Sequence, residues 1–378
     1  MIEIFTHSSV LSEQLRKRIR REGPITFCEW MRTALYDNVE GYYCKPYNQI
    51  WGREGDYRTS PERSYLFAAT FARYFASLYQ QLGSPPAFTI VEIGGGAGHF
   101  ALGVLQTLQR YFPHSFAATH YIFDEIGDPA RTSARERLAS FGERVVFGSS
   151  DDVEIDPGIV FTNELLDAFP VHRVTMVDGD LCEYYVALGV GGQFDWMIGP
   201  PSTSQLAGYL RRYDIHLREG QIAEISLEIE KWVRKAAGKL PRGYVITVDY
   251  GAEATELYSS VARAHGTLRS FQQHVFVEKV LALPGEHDLT STVNWTAVKA
   301  AGESAGLRPL QLVRLDKFLL EAGLLDQLAL ESQRSDEADK LRLSTTAREM
   351  ILPNGMAASF QVLLQEKLSA GNMLGAGA

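Results

Sequence analysis

The chain has 378 residues, 45% of them hydrophobic, and a formal net charge of -9. That length supports a large core, as one elaborated domain or two, and the acidic balance argues against nucleic-acid binding by bulk electrostatics. Cys28, Cys44 and Cys182 are too scattered for a disulfide framework or a metal set, so a reducing, cytoplasmic setting is expected; no apolar run approaches the ~20 residues of a membrane-spanning helix.

Leu11, Leu15 and Ile19, at i, i+4 and i+8, predict an amphipathic first helix. Its basic residues Arg16, Lys17, Arg18, Arg20 and Arg21, interrupted by Glu13 and Glu22, read as a solvated face instead of a targeting peptide or nucleic-acid arm. Pro24 suits the first turn of a second helix with the apolar stripe Phe27, Trp30, Met31 and Leu35. The polar loop Gly52 to Glu62 then leads into a helix expected over 64–82. Ser60-Pro61-Glu62 is explained by capping, whereas Gly55-Asp56 is not.

Thr89 to Ile93 is a β-branched run that ends in Glu92-Ile93 and breaks into Gly94-Gly95-Gly96-Ala97-Gly98; Ala101, Leu102, Val104, Leu105 and Leu108 follow at helical spacing. Strand, tight loop and helix are predicted. A dinucleotide site needs G-x-G-x-x-G, and here the third-glycine position holds His99. Glu92-x-Gly94-x-Gly96-x-Gly98 resembles instead the first motif of class I S-adenosylmethionine-dependent methyltransferases, in which the loop wraps an amino-acid moiety and sulfonium. An acid at the strand end can neutralise the ammonium directly or through water.

Tyr121-Ile122-Phe123-Asp124-Glu125 predicts a second strand ending in acids able to accept both ribose hydroxyls, unless they are ordinary surface acids. Arg144 to Phe147 reads as a third strand; Ser150, Asp151 and Asp152 after it can reach adenine or form only a turn. Gly158 to Glu164 is the fourth, its polar end placed where substrate enters an open α/β sheet, with Asp167 on the turn beyond. The other reading makes Asn163 a helix cap and Glu164 a first-turn acid. Val174–Val177 and Leu181–Val186, joined by Asp178-Gly179, predict a hairpin, followed by a helix from Ile225 to Val233 and a fifth strand over 243–251. The segment 252–294 reads as irregular and polar. A helix over 295–305, late strands at 310–314 and 358–364, a solvated charged stretch from Glu331 to Arg342 and a tail over 369–378 complete the chain.

Several blocks are too particular for turn chemistry: Pro24-Ile25-Thr26-Phe27, Ala34-Leu35-Tyr36-Asp37, Gly41-Tyr42-Tyr43, Gly55-Asp56-Tyr57 with Thr59-Ser60-Pro61-Glu62, Asn163 to Pro170, Thr247 to Gly251, Asp288-Leu289-Thr290 and Asn354-Gly355-Met356. With the glycine loop they resemble the MidA family of class I methyltransferases, the group that includes the mitochondrial complex I assembly methyltransferase. The resemblance spans residues 23 to 365. It implies an α/β, Rossmann-like doubly wound sheet that takes S-adenosylmethionine, and protein-arginine methylation. Glu92, Gly94, Gly96, Gly98, Glu125, Asp124, Asp151, Asn163 and Thr59 become cofactor candidates, with Glu125 matching the family's acid and Asp124 next in line. Glu164, Asp167, Asn163 and Glu62 are the candidates for catalysis, with Asp56 and Thr59 shaping the mouth. His99 and Phe100, Gly127-Asp128, Thr292, Asn294 and Gln361 depart from the family pattern.

The expected organisation is a helical cap over 1–84, a methyltransferase core over 85–170 and 241–368, and an inserted flap over 171–240. A guanidinium acceptor has a pKa of ~12.5 or higher and so needs carboxylates to fix and polarise it. A protein presenting arginine is the expected partner, without nucleic acid, metal or membrane insertion. A small-molecule methyltransferase with an enclosed aromatic pocket and a non-catalytic assembly factor keeping the fold are the rivals. A nicotinamide dehydrogenase is disfavoured by His99.

Overall fold

The computed structural model describes residues 9–45, 65–152, 155–272, 275–352 and 355–368. A seven-stranded sheet forms its centre: β1 (Phe88–Ile93), β2 (Thr119–Asp124), β3 (Val145–Phe147), β4 (Gly158–Asn163), β5 (Gly243–Asp249), β6 (Leu307–Arg314) and β7 (Gln361–Lys367). Their spatial order is β6-β7-β5-β4-β1-β2-β3. All run parallel except β7, which is antiparallel to both of its neighbours. Strand order reverses between β1 and β4, so the carboxyl ends of β1, β2, β4 and β5 form the rim at which ligands bind in such sheets.

Side chains alternate across this sheet. Phe88 and Ile90 of β1 join Phe100, Val104, Leu105, Phe161 and Phe71 on one face, while Val91 joins Ile122, Val160 and Val245 on the other. Burial on both faces is what a continuous apolar strand predicts, and the doubly wound α/β expectation holds.

Helices α1 (Val10–Glu22) and α2 (Phe27–Tyr36) pack away from the central sheet. They cover a five-stranded sheet built from Ile25–Thr26, His172–Val177, Asp180–Leu188, Phe194–Gly199 and Ile222–Ile225. Helix α3 (Tyr65–Gln81), by contrast, lies on the central sheet with α4 (His99–Tyr111) and α5 (Asp128–Leu138). The described part of the first 84 residues thus serves two layers instead of one cap. Helices α6 (Leu227–Lys239) and α7 (Trp295–Ser304) pack on the opposite face of the central sheet.

Other differences from the sequence reading have local causes. Pro24 does not open α2: Ile25 and Thr26 first pair with Val186 and Tyr185, and Thr26 then caps the helix in a reciprocal box with Glu29. The segment 252–294 is not merely irregular. Arg269–Gln272, Val275–Phe276 and Asp288–Thr290 form a three-stranded sheet, and Leu281 and Leu289 enter the core beneath α1 and α2. Its polar residues Ser270, Asp288 and Thr290 are buried, which composition alone cannot reveal. Glu331 is likewise buried and accepts a hydrogen bond from Gln327 at 2.9 Å instead of standing on a solvated stretch.

Candidate active site

At one end of the rim, β1 passes into the glycine loop and α4 begins at His99. Gly94, Gly96 and Gly98 take φ values of 73°, 55° and 80°, which residues with a Cβ seldom adopt. At Gly95 the reason is space, because a Cβ there would lie 2.4 Å from the Phe123 ring. Main-chain bonds fix the loop: Gly94 N–H to Asp124 O at 2.8 Å and Gly98 N–H to Gly95 O at 3.0 Å. Arg137 of α5 donates to the Ala97 carbonyl. Burial and Arg137 lower the pKa of His99 to about 4, so the helix start carries a neutral ring at pH 7.

Glu125, just past β2, reaches the loop. Its Oε2 accepts the Gly96 N–H at 2.8 Å and its Oε1 the Gly127 N–H at 2.7 Å. Burial raises its pKa, and those N–H donors oppose the rise. Asp124 instead accepts the Ser150 N–H at 2.7 Å. Of the two acids, then, Glu125 meets the glycines. Glu92 lies beneath them, 4% exposed, with the Tyr121 hydroxyl donating to it at 2.8 Å. Burial pushes its pKa up to about 8. Glu92, largely neutral at pH 7, lies under Gly95, where an added Cβ would come 3.1 Å from its carboxyl carbon.

The other end is built by β4 and β5. After Asn163, Glu164 turns the chain with φ 54°, a left-handed conformation that costs a non-glycine residue about 1 kcal/mol. Its N–H donates to Val248 O at 2.9 Å, and the following turn, Leu166–Ala168, tucks against the end of β5. Fully buried Asp249 accepts the main-chain N–H groups of Leu166 at 2.8 Å, Asp167 at 3.3 Å and Tyr250 at 2.8 Å. Burial raises its pKa to about 7, opposed by those donors. Asp167 is 4% exposed; burial first, then Asp249, Asp288 and Glu164, push its pKa well above the carboxylate range, with Arg269 opposing. Asn163 Nδ2 donates to Glu164 Oε1 at 3.0 Å, and Asn163 Oδ1 is buried without a hydrogen-bond partner among the described residues.

Aromatic rings surround these acids. Tyr36, at the end of α2, donates to Ala168 O at 2.9 Å, Tyr43 donates to Asp288 Oδ1 at 2.7 Å, and the two rings stack at 5.6 Å. Tyr250 adds a third ring, with the Arg269 guanidinium carbon 5.1 Å from its centroid. Burial holds all of these phenols neutral, reinforced by Asp288 at Tyr36 and Tyr43 and by Glu164 at Tyr250.

The structure therefore brings Gly94, Gly96, Gly98 and Glu125 together at one end and Asn163, Glu164 and Asp167 at the other. Glu62, Thr59 and Asp56 lie outside the described residues. Lys235 and Lys239 of α6 hold the Asp151 carboxylate, the latter at 2.8 Å. Departures from the family pattern serve packing and capping. Phe100 stacks on Phe161 at 4.3 Å, Asn294 caps α7 through the N–H groups of Thr296 and Ala297, and Gln361 accepts the Trp295 indole N–H. Tyr36, Tyr43, Asp249, Tyr250 and Asp288 were visible only as members of the recurring blocks, without a role, and Arg269 carried no sequence signal at all.

The family model of S-adenosyl-L-methionine-dependent methyltransferases (Methyltransf_28) matches residues 70–313. The chain belongs to this family. It is 29% identical over 326 residues to the protein arginine methyltransferase NDUFAF7 homolog, mitochondrial, of Drosophila melanogaster, covering 78% of this chain and 70% of that protein. The human mitochondrial protein arginine methyltransferase NDUFAF7 is 24% identical, with 94% and 84% covered. Among solved structures, a COG1565 superfamily member and likely methyl transferase from Burkholderia thailandensis, bound to S-adenosyl-homocysteine, superposes with a TM-score of 0.84 at 29% identity, covering 95% of this chain and 92% of that one.

The protein is accordingly an S-adenosylmethionine-dependent methyltransferase, and its rim fits that cofactor. Positive φ values at Gly94, Gly96 and Gly98 carry the strand-to-helix turn, and the Glu125 carboxylate, bonded to the Gly96 N–H, is an acceptor of the kind suited to ribose hydroxyls. When bound, S-adenosylmethionine supplies an electrophilic methyl group on a sulfonium.

Proposed function

We propose that the methyl acceptor is an arginine guanidinium presented by a protein partner. The observation that carries this reading is the group of buried acids Asp167, Asp249 and Asp288, with half-buried Glu164 beside them, near Tyr36, Tyr43 and Tyr250 at the strand ends beside the glycine loop. Burial raises the pKa of Asp167 and Asp249, and a cation arriving beside such a carboxyl replaces its bound proton. Planar rings suit a guanidinium by stacking, and carboxylates suit it by paired hydrogen bonds. Glu164 and Asp167 hold the group in plane and orient one nitrogen for in-line attack. Its nitrogen gives up a proton as the N–C bond forms, and Asp167, more basic than an ordinary carboxylate, accepts it. The relatives named as protein arginine methyltransferases support the same acceptor.

Tyrosines around the site are the feature a small-molecule enzyme would also display; the acids among them favour a cation. The test is incubation with methyl-tritiated S-adenosylmethionine and a protein lysate, then acid hydrolysis of the protein fraction. Label is expected in methylarginine. Label confined to the small-molecule fraction, or to another amino acid, would overturn the reading.

A further inference from the structure

Arg269 lies beside this site. It begins the strand Arg269–Gln272, whose neighbour Asp288–Thr290 carries Asp288, with Arg269 opposite Thr290. Its guanidinium carbon lies 5.1 Å from the Tyr250 centroid, and its charge opposes the raised pKa of both Asp167 and Tyr250. Yet Nε is buried without a hydrogen-bond partner among the described residues. A structural arginine in an acidic site would ordinarily be locked by a bidentate pair. This one is held by a ring face and by the field of nearby carboxylates, a mode that leaves a guanidinium exchangeable.

We infer that Arg269 occupies the acceptor position in the unliganded protein, standing in for the substrate guanidinium, and must be displaced for an arginine to enter. The inference rests on the guanidinium-acceptor reading above and adds a selectivity device to it. A tethered competitor acts at an effective concentration on the order of millimolar, whatever the bulk solution holds. Free arginine, whose only handle here is its guanidinium, competes poorly with such an occupant. An arginine within a polypeptide brings further contacts that offset the displacement. Arg269 thus favours protein segments over the free amino acid without touching the rest of the substrate.

The probe is methylguanidinium, titrated by NMR into the full chain loaded with S-adenosyl-homocysteine, comparing wild type with Arg269→Ala and Arg269→Lys. If Arg269 fills the acceptor slot, Arg269→Ala binds the probe at least tenfold more tightly than wild type. Arg269→Lys, which keeps a cation to balance the buried acids but lacks the planar group, falls between them and stands alone as the test if the alanine variant does not fold. Binding that is unchanged or weaker in the variants, with the probe still bound by wild type, overturns the stand-in role and leaves the acceptor reading intact. No probe binding by any protein that still binds S-adenosyl-homocysteine overturns both.

Discussion

The two ends of the rim are made of different material. The cofactor end is backbone: glycines in left-handed conformations, main-chain bonds across the loop, and Glu125 satisfied by N–H groups. At the acceptor end, carboxylates are crowded beneath aromatic rings, and Asp167 is kept from ionising easily by burial and by its neighbours. One end is tied together by main-chain hydrogen bonds and by Glu125. The other gathers acids, among them Asp167, whose ionised form is disfavoured by burial and neighbouring carboxylates and favoured by a cation. A ligand common to a whole family suits the first arrangement, and the proposed function assigns the choice of acceptor to the second.

Substitutions that act on one end only should separate the two. The largest effect is expected from Gly96→Val, which forces a β-branched residue to φ 55°. Calorimetric affinity for S-adenosyl-homocysteine should fall by roughly 100-fold or more, and methyl transfer with it. Asp249→Ala breaks the acceptor end by leaving the N–H groups of Leu166, Asp167 and Tyr250 without their buried acceptor. Denaturant unfolding should show a loss of roughly 3 kcal/mol, together with slower transfer at saturating cofactor.

A smaller effect comes from beneath the glycine loop. The folded-state pKa of Glu92, about 8, exceeds its ordinary 4.5. The native state therefore holds a proton that the unfolded chain releases between these values. This contribution to stability is full below pH 4.5 and is lost as pH rises through 8. Glu92→Gln should make the wild-type decline in melting temperature across that window shallower. A slope unchanged by the substitution would place the titrating group elsewhere. The smallest effect is expected at Asp151→Ala, because Lys235 and Lys239 already hold that carboxylate. Cofactor affinity should stay within about twofold of wild type; a larger loss would return Asp151 to the adenine side.

Most of the cofactor end was legible in the sequence, because it depends on local order. A β-branched run, alternating glycines and a helical stripe sit within a few residues of one another, and an acid follows one strand-helix unit later. The acceptor end is assembled from distant segments. Tyr36 comes from α2, Tyr43 from the turn after it, Asp249 from β5, and Asp288 and Arg269 from a small sheet whose buried polar residues resemble a solvated loop in composition. Glu164 and Asp167 were named as candidates because a strand end at the switch point is a predicted site by topology. The lysines of α6 that hold Asp151, more than eighty residues away in sequence, were not visible as its partners.

The division of labour along the rim is tested most directly by one matched pair. Dissociation constants for S-adenosyl-homocysteine and rates of methyl transfer at saturating S-adenosylmethionine would be measured for Glu125→Ala and Asp167→Asn. The account predicts that Glu125→Ala weakens cofactor binding roughly tenfold or more, while Asp167→Asn binds within about threefold of wild type and transfers methyl at least about 100-fold more slowly. Unimpaired cofactor binding by Glu125→Ala, or lost binding with no separate rate defect in Asp167→Asn, would contradict it.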